Sequence, residues 1–263
     1  MEGMSEATEI LEWADQVRKL GVMANADTPA DASQSVALGA EGIGLCRTEH
    51  MFLDSHRLPE VRQMLVNAEA AEQWRRNQPE GIEVPLPDCS LPAGVKDFYE
   101  ALERVGQLQT EDFRGILQVM GQRPVIIRLL DAPLHEFLPP YEAVQAELVE
   151  LQNLKASTKE INEKESFLLL VDSLREENPM LGHRGCRLGL SFPAIYRMQV
   201  EAIITASAEL IKQGIPVSPE IMIPLTVDVE ELRLLRQDLA ATCLLYTSPS
   251  PRDATLSRMA ACG

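Results

Sequence analysis

Aliphatic residues along the chain gather into five short runs, separated by stretches with helical periodicity. The runs are Val22–Ala26, Gly42–Cys46, Pro124–Leu130, Gly185–Leu190 and Ile221–Leu225. Segments such as PVIIRLL and IMIPL are apolar almost without interruption, as strands of a parallel sheet covered on both faces are. Strands that alternate with helices predict βα units and a parallel sheet. After the first run, Thr28 suits an N-cap, Pro29 the first turn and Asp31 the positive end of a helix, and Gly39 can close it. Ser191 and Pro193 open a second helix running to Gly214, with Ile195, Met198, Ala202, Thr205, Ala206 and Leu210 on one face. Asp228 is placed to cap the helix EELRLLRQDL.

The connections are unequal. Between the second and third runs the pattern predicts helices near Pro59–Arg76, Val95–Gln107 and Glu111–Met120, with a proline-rich loop, QPEGIEVPLPDCSLPAG, after the first of these. Between the third and fourth runs it predicts helices near Tyr141–Leu154 and Thr158–Glu176. Connections this elaborate usually build a site. The segment 242–263 has no periodicity and small residues at its end, and reads as an irregular tail, either non-native or a genuine disordered end.

Composition narrows the classes. At 263 residues the length suits one large domain, and about 250 residues is typical of a (β/α)8 barrel. The hydrophobic fraction of 45% is that of a globular chain. The net charge of −16 repels phosphate backbones and anionic lipid, which argues against nucleic-acid and membrane partners. No apolar run approaches the ~18 residues of a membrane span. Residues 1–7 do not resemble a signal peptide, and the five cysteines form no CxxC pair. They read as reduced thiols of an intracellular protein, without a structural zinc.

Three strand ends carry arginine: Arg47 in GIGLCRTEH, Arg128 in VIIRLLD and Arg187 in GHRGCRLGL. An arginine within an apolar strand is costly unless paired, and Glu49 and Asp131 are possible partners. Two readings stand. The arginines are structural ion pairs, or they converge at the C-terminal ends of the strands as an anion site. Among the other candidates, His50, His56, His135 and His183 lack metal-ligand spacing. His135 reads as a loop or packing residue, and His183 as a turn residue or a support for Arg187. Cys46 and Cys186 sit beside arginines, where positive charge lowers a thiol pKa, although buried packing explains them as well. No GxxxxGK[ST] sequence occurs, so ATP binding has no support in these residues.

Three stretches are specific. VMANADTPADASQSVALGAEGIGLCRTEHMF, EDFRGILQVMGQRPVIIRLLDAPLHEFLP and ENPMLGHRGCRLGLSFPAIYRMQ, with PEIMIPL, resemble the pyruvate, phosphate dikinase family of phosphoenolpyruvate-utilising enzymes. The wording is closer to that family than to its relatives phosphoenolpyruvate synthase and enzyme I of the sugar phosphotransferase system. The resemblance implies an α/β fold, an incomplete (β/α)8 barrel with about five of its eight strands and helical insertions. It implies a linker helix over 1–20 and a partial barrel over 21–241. Arg47 and Arg128 match family arginines that bind the substrate's phosphate and carboxylate, and Arg187 matches a third arginine of the site.

The resemblance also implies a phosphotransferase that interconverts ATP, pyruvate and phosphate with AMP, phosphoenolpyruvate and diphosphate through a phosphohistidine. Its partners would be phosphoenolpyruvate or pyruvate, separate phosphohistidine and nucleotide-binding domains, and a second subunit in a homodimer. Family Mg2+ ligands and the proton-donating cysteine belong to strands six to eight, and their motifs are not found here. The expectation is therefore a fragment with part of the substrate site, no metal ligands and no activity by itself, located in the cytoplasm or a plastid. Left open are a phosphoenolpyruvate synthase-type fragment and an inert anion-binding module.

Overall fold

A computed structural model describes residues 2–78, 91–173, 178 and 182–247. In chain order its elements are α1 (Glu2–Val17), β1 (Met23–Asn25), α2 (Pro29–Ala37), β2 (Gly42–Arg47), α3 (Thr48–Phe52), α4 (Leu58–Arg76) and α5 (Ala93–Met120). There follow β3 (Pro124–Arg128), a 3-10 turn (Leu134–Phe137), α6 (Tyr141–Asn153), α7 (Thr158–Ser173), α8 (Cys186–Ser191), α9 (Pro193–Lys212), β4 (Ser218–Met222) and α10 (Val229–Thr247). The four strands form one sheet in the order β1-β2-β3-β4, and every pairing is parallel. Sequential parallel strands joined through helices are the architecture of part of a β/α barrel. Among the described residues no helix is long and apolar enough to cross a membrane.

The expected strand at Gly185–Leu190 is a correction. That stretch is α8, entered through Gly185 at φ 58 and ψ −134. A run of six mostly apolar residues cannot be assigned by periodicity alone. Here the tertiary setting decides, because Cys186, Leu188 and Gly189 turn inward as a single helical turn, with the Tyr196 ring packed over Gly189. Among the described residues the sheet therefore has four strands where five were expected. The last expected strand, at Ile221–Leu225, is β4, displaced toward Ser218 and paired directly with β3 from Pro124↔Ser218 to Arg128↔Met222.

The helices expected at Val95–Gln107 and Glu111–Met120 are one continuous helix, α5. Its buried residues include Phe98, Ala101, Val105, Gln109, Phe113, Ile116 and Met120, at spacings of three or four, so one face runs unbroken through the expected gap. Each such large apolar side chain contributes about 1.5–3 kcal/mol on burial. This face and the residues of α4 and α9 packed against it belong to the main core, which also holds Ile43, Val125 and Ile127 of the sheet.

The caps predicted at Thr28 and Asp228 form, whereas Ser191 ends α8 and Phe192 holds the N-cap position of α9 without a side-chain hydrogen bond. Thr28 Oγ1 accepts the Asp31 N–H at 3.1 Å, Pro29 opens α2, and Gly39 follows it at φ 92. Asp228 Oδ1 accepts the Glu230 N–H at 2.7 Å, while Glu231 reaches back to the N–H groups of Val227 and Asp228. At the other end α10 extends to Thr247, so the irregular segment expected from residue 242 starts in helix. Thr242 is buried and Cys243 packs against the core. Residues 248–263, most of the proline-rich loop, Cys89 and Cys262 lie outside the described residues.

Candidate functional site

Parallel pairing brings the C-terminal ends of the strands to one side. Arg47 ends β2 and Arg128 ends β3, and the two are register partners. Asp27 lies two residues past β1. These three strand ends, with the connections that follow them, build a chain of ion pairs.

Asp27 spends both oxygens on Arg47. Oδ1 accepts the Arg47 backbone N–H at 2.7 Å, and Oδ2 accepts Nε at 3.0 Å and Nη2 at 2.6 Å. His50, in the first turn after β2, has its Nδ1 2.9 Å from the same Oδ2. The Asp27 carboxylate raises the pKa of the Arg47 guanidinium further above its ordinary value, against a smaller opposing effect of burial. Arg47 thus stays charged at any working pH.

Arg128 is held from two sides. Its Nη2 donates to Glu49 Oε1, and its Nη1 lies 3.1 Å from Asp131 Oδ2. Asp131 also accepts from Arg184 Nε at 3.2 Å. The carboxylates are buried, with side-chain exposures of 9% for Asp27, 10% for Glu49 and 4% for Asp131, while Arg47 keeps 36% exposed. Buried charges persist only when paired, and this cluster sets three carboxylates against three arginines. Thr48 Oγ1, Glu49 Oε2 and Arg128 Nε are buried without a hydrogen-bond partner among the described residues.

The backbone behind Asp131 is also fixed. The Leu130 N–H donates to Gln199 Oε1 at 2.9 Å, and the Tyr196 hydroxyl donates to the Leu130 carbonyl at 2.9 Å. Both side chains come from α9, so one helix grips both sides of the residue that precedes Asp131.

Of the three expected arginines, Arg47 and Arg128 stand side by side at the strand ends. Arg187 lies on α8 and not in a strand, and its Nη1 donates to the Gly182 carbonyl at 3.1 Å. Arg184, three residues earlier, is the one joined to Asp131. Sequence reasoning missed Arg184 and Asp27. The motif GHRGCR offered both arginines, and reading it as a strand favoured the second. Asp27 pairs with Arg47 across 20 positions, and no local pattern marks it.

The other candidates fall elsewhere. His183 Nε2 is 2.8 Å from Ser191 Oγ, and its ring stacks at a tilt on Phe192. Cys46 is fully buried, and burial pushes its thiol pKa up, with Asp27 and Glu49 adding to the effect. Burial and then Glu231 raise that of Cys186. Neither thiol is activated by its neighbouring arginine. A groove of about 720 Å³ between α5 and α9, lined by Tyr99, Arg114, Met198 and Glu209 among others, contains none of the clustered arginines.

The cluster suits an anion. Arginine forks present paired N–H donors to carboxylate or phosphate, and at the C-terminal ends of parallel strands they sit where β/α barrels bind ligands.

Known proteins match this chain closely. Residues 2–244 match the family described as PEP-utilising enzyme, PEP-binding domain. Pyruvate, phosphate dikinase of Rickettsia bellii is 44% identical over 235 residues, covering 89% of this chain and 23% of that protein. The protein of that name from Entamoeba histolytica is 43% identical over 230 residues, covering 88% and 23%. Pyruvate, phosphate dikinase 2 of Oryza sativa subsp. japonica is 44% identical over 225 residues, covering 85% and 22%. The chain spans under a quarter of the length of these relatives, and over residues 2–244 it belongs to the PEP-utilising enzymes, within the PEP-binding domain of that family.

Proposed function

We propose that this chain is the phosphoenolpyruvate- and pyruvate-binding part of a pyruvate, phosphate dikinase. The observation that carries the reading is the register pairing of Arg47 with Arg128 at the strand ends. Phosphoenolpyruvate has a phosphate and a carboxylate on one three-carbon frame, and two adjacent guanidinium groups suit two such anionic groups. Arg184, joined to Arg128 through Asp131, adds a third cation beside them.

In the whole enzyme the phosphoryl group would come from a phosphohistidine on another domain, charged from ATP and phosphate at a nucleotide-binding domain. The enolate oxygen of pyruvate attacks phosphorus, the N–P bond breaks, the O–P bond forms and the histidine ring leaves. The residues of this chain hold and orient the anionic groups during that step. Phosphoryl transfer rests largely on such positioning and charge stabilisation. The exposed edge of Arg47 is the donor available for it.

Magnesium is handled differently by these residues. No group of three or more His, Cys, Asp or Glu side chains among the described residues is arranged to hold a metal ion. Asp27, Glu49 and Asp131 are each taken by an arginine. The described residues do not fit a magnesium site. The separate phosphoryl-carrying domains, a homodimeric assembly and a cytoplasmic or plastid location belong to the same proposal for the whole protein.

Titration of the chain with phosphoenolpyruvate, followed by phosphorus NMR, tests the reading. Binding should be saturable and should be lost in Arg47→Leu and Arg128→Leu, each change removing a charge-assisted contact worth about 1.5–3 kcal/mol. The chain by itself, given ATP, phosphate, pyruvate and magnesium, should form no phosphoenolpyruvate. Unchanged binding in both variants would refute the assignment of the arginines.

A further inference from the structure

We propose that Asp27 is a positioning residue that presets Arg47 for anion recognition; the inference rests on the substrate-binding role proposed above. Three observations support it. First, one carboxylate holds both ends of Arg47, the backbone N–H through Oδ1 and the guanidinium through Oδ2. A contact of that kind restricts the side chain as a whole, where an ordinary ion pair restricts only its tip. Second, Asp27 is itself fixed. It is 9% exposed, and His50 Nδ1 on α3 packs 2.9 Å from the same Oδ2. Third, the grip is one-sided. Asp27 takes Nε and one N–H of Nη2, and Nη1 has no hydrogen bond among the described residues, while the side chain keeps 36% of its surface. The unused edge of the fork is therefore presented in a fixed orientation.

The gain is entropic. A free arginine side chain must give up its rotamer freedom when it binds an anion, and Asp27 has already ordered this one. The same geometry makes the requirement for a carboxylate strict. Both oxygens act as acceptors, so the amide of an asparagine, whichever way it turns, sets an NH2 group against either the Arg47 backbone N–H or the guanidinium.

The sign of the effect separates this role from simple electrostatics. Asp27 is a negative charge beside an anion site, so on charge alone its neutralisation should tighten anion binding. As a positioning residue, its neutralisation should weaken binding. The experiment compares the chain with Asp27→Asn and Asp27→Ala in two readouts. Proton–nitrogen NMR of the ligand-free chain should show a slowly exchanging Arg47 Nε–H, identified by its loss in Arg47→Lys. That signal should collapse toward the behaviour of the exposed Arg236 in both Asp27 variants, whose folding the backbone amide spectrum reports. Titration with phosphoenolpyruvate should then show affinity about tenfold weaker in both variants, the scale of the arginine rotamer freedom regained.

Unchanged or tighter binding in folded Asp27→Asn would overturn the inference. So would an Arg47 Nε–H that exchanges as fast as that of Arg236 in the unaltered chain, a measurement that needs no variant to fold. If phosphoenolpyruvate fails to bind the unaltered chain while Arg47 Nε–H stays protected, the proposed substrate falls and the ordering of Arg47 by Asp27 stands.

Discussion

Replacing Gly185 with alanine tests the link between the backbone and the arginine cluster. Gly185 sits at φ 58 and ψ −134, a region that residues with a side chain rarely adopt. Holding alanine there costs about 1–3 kcal/mol. The added Cβ would also lie 3.0 Å from Asp131 Oδ1, 3.0 Å from Leu225 Cβ and 3.1 Å from the Pro224 carbonyl oxygen. Two of these three neighbours are backbone or Cβ atoms that cannot swing aside, and the third is the buried carboxylate between Arg128 and Arg184. Relieving such crowding adds on the order of 1 kcal/mol. The total is about 2–4 kcal/mol, which for a domain of this size lowers the melting temperature by roughly 5–15 °C. Circular dichroism melting and urea titration read it directly. Affinity for phosphoenolpyruvate should fall with it, because Asp131 must move. A melting temperature within about 2 °C of the unaltered chain would show that the 182–186 turn tolerates a side chain and that its approach to Asp131 is not required.

Other expectations concern caps and thiols. Thr28→Ala should cost about 1 kcal/mol by urea titration while Thr28→Ser costs much less, because only the hydroxyl caps α2. Hydrogen bonds from the Val227 and Asp228 N–H groups hold the Glu231 carboxyl below its ordinary value of 4.5. A depressed carboxylate contributes stability that is complete above its unfolded pKa and is lost as pH falls through the folded one. The stability gap between the chain and Glu231→Gln, read from urea midpoints, should therefore be constant near neutrality and narrow below pH 4.5; a gap that widens in acid would contradict the cap. Cys46 should resist iodoacetamide at pH 8 until the chain is unfolded, as peptide mass mapping can follow, since burial and the nearby carboxylates keep its thiol protonated.

How far the sequence could be read depends on the range of the interactions concerned. The first three strands were legible because unbroken aliphatic runs need cover on both faces, and Thr28, Pro29 and Gly39 mark the ends of α2 within a dozen positions. The run at Gly185–Leu190 was not, because its fate depends on Tyr196 packing over Gly189 and on a glycine backbone angle, neither of which periodicity reports. The continuous α5 was missed at its middle, where Gln109 is polar yet buried and interrupts the apolar stripe. At the candidate site, Arg47 and Arg128 were legible as charges in apolar strands. Asp27 and Arg184 were not, since their roles come from pairs formed across 20 and 53 positions.

The grip of α9 on Leu130 bears on the order of folding. Gln199 and Tyr196 reach the two sides of Leu130 across 69 and 66 positions. Until α9 docks, the Leu130 N–H and carbonyl must stay hydrated, and the segment leading to Asp131 has no fixed course. β2 and β3 can pair earlier, which brings Arg47 beside Arg128 in a sheet that is still open. Asp131 comes into place only when the loop of residues 131–195 closes, and Arg184 can find its partner only then. During synthesis the arginines of the strands therefore leave the ribosome well before the helix that completes their surroundings. Asp27 and Glu49 are made before α9, so it is the pairs of Asp131 with Arg128 and Arg184 that wait for it. Docking of α9 fixes the backbone beside Asp131, and variants that weaken Tyr196 or Gln199 should slow the placing of Asp131 between Arg128 and Arg184 more than the formation of the sheet.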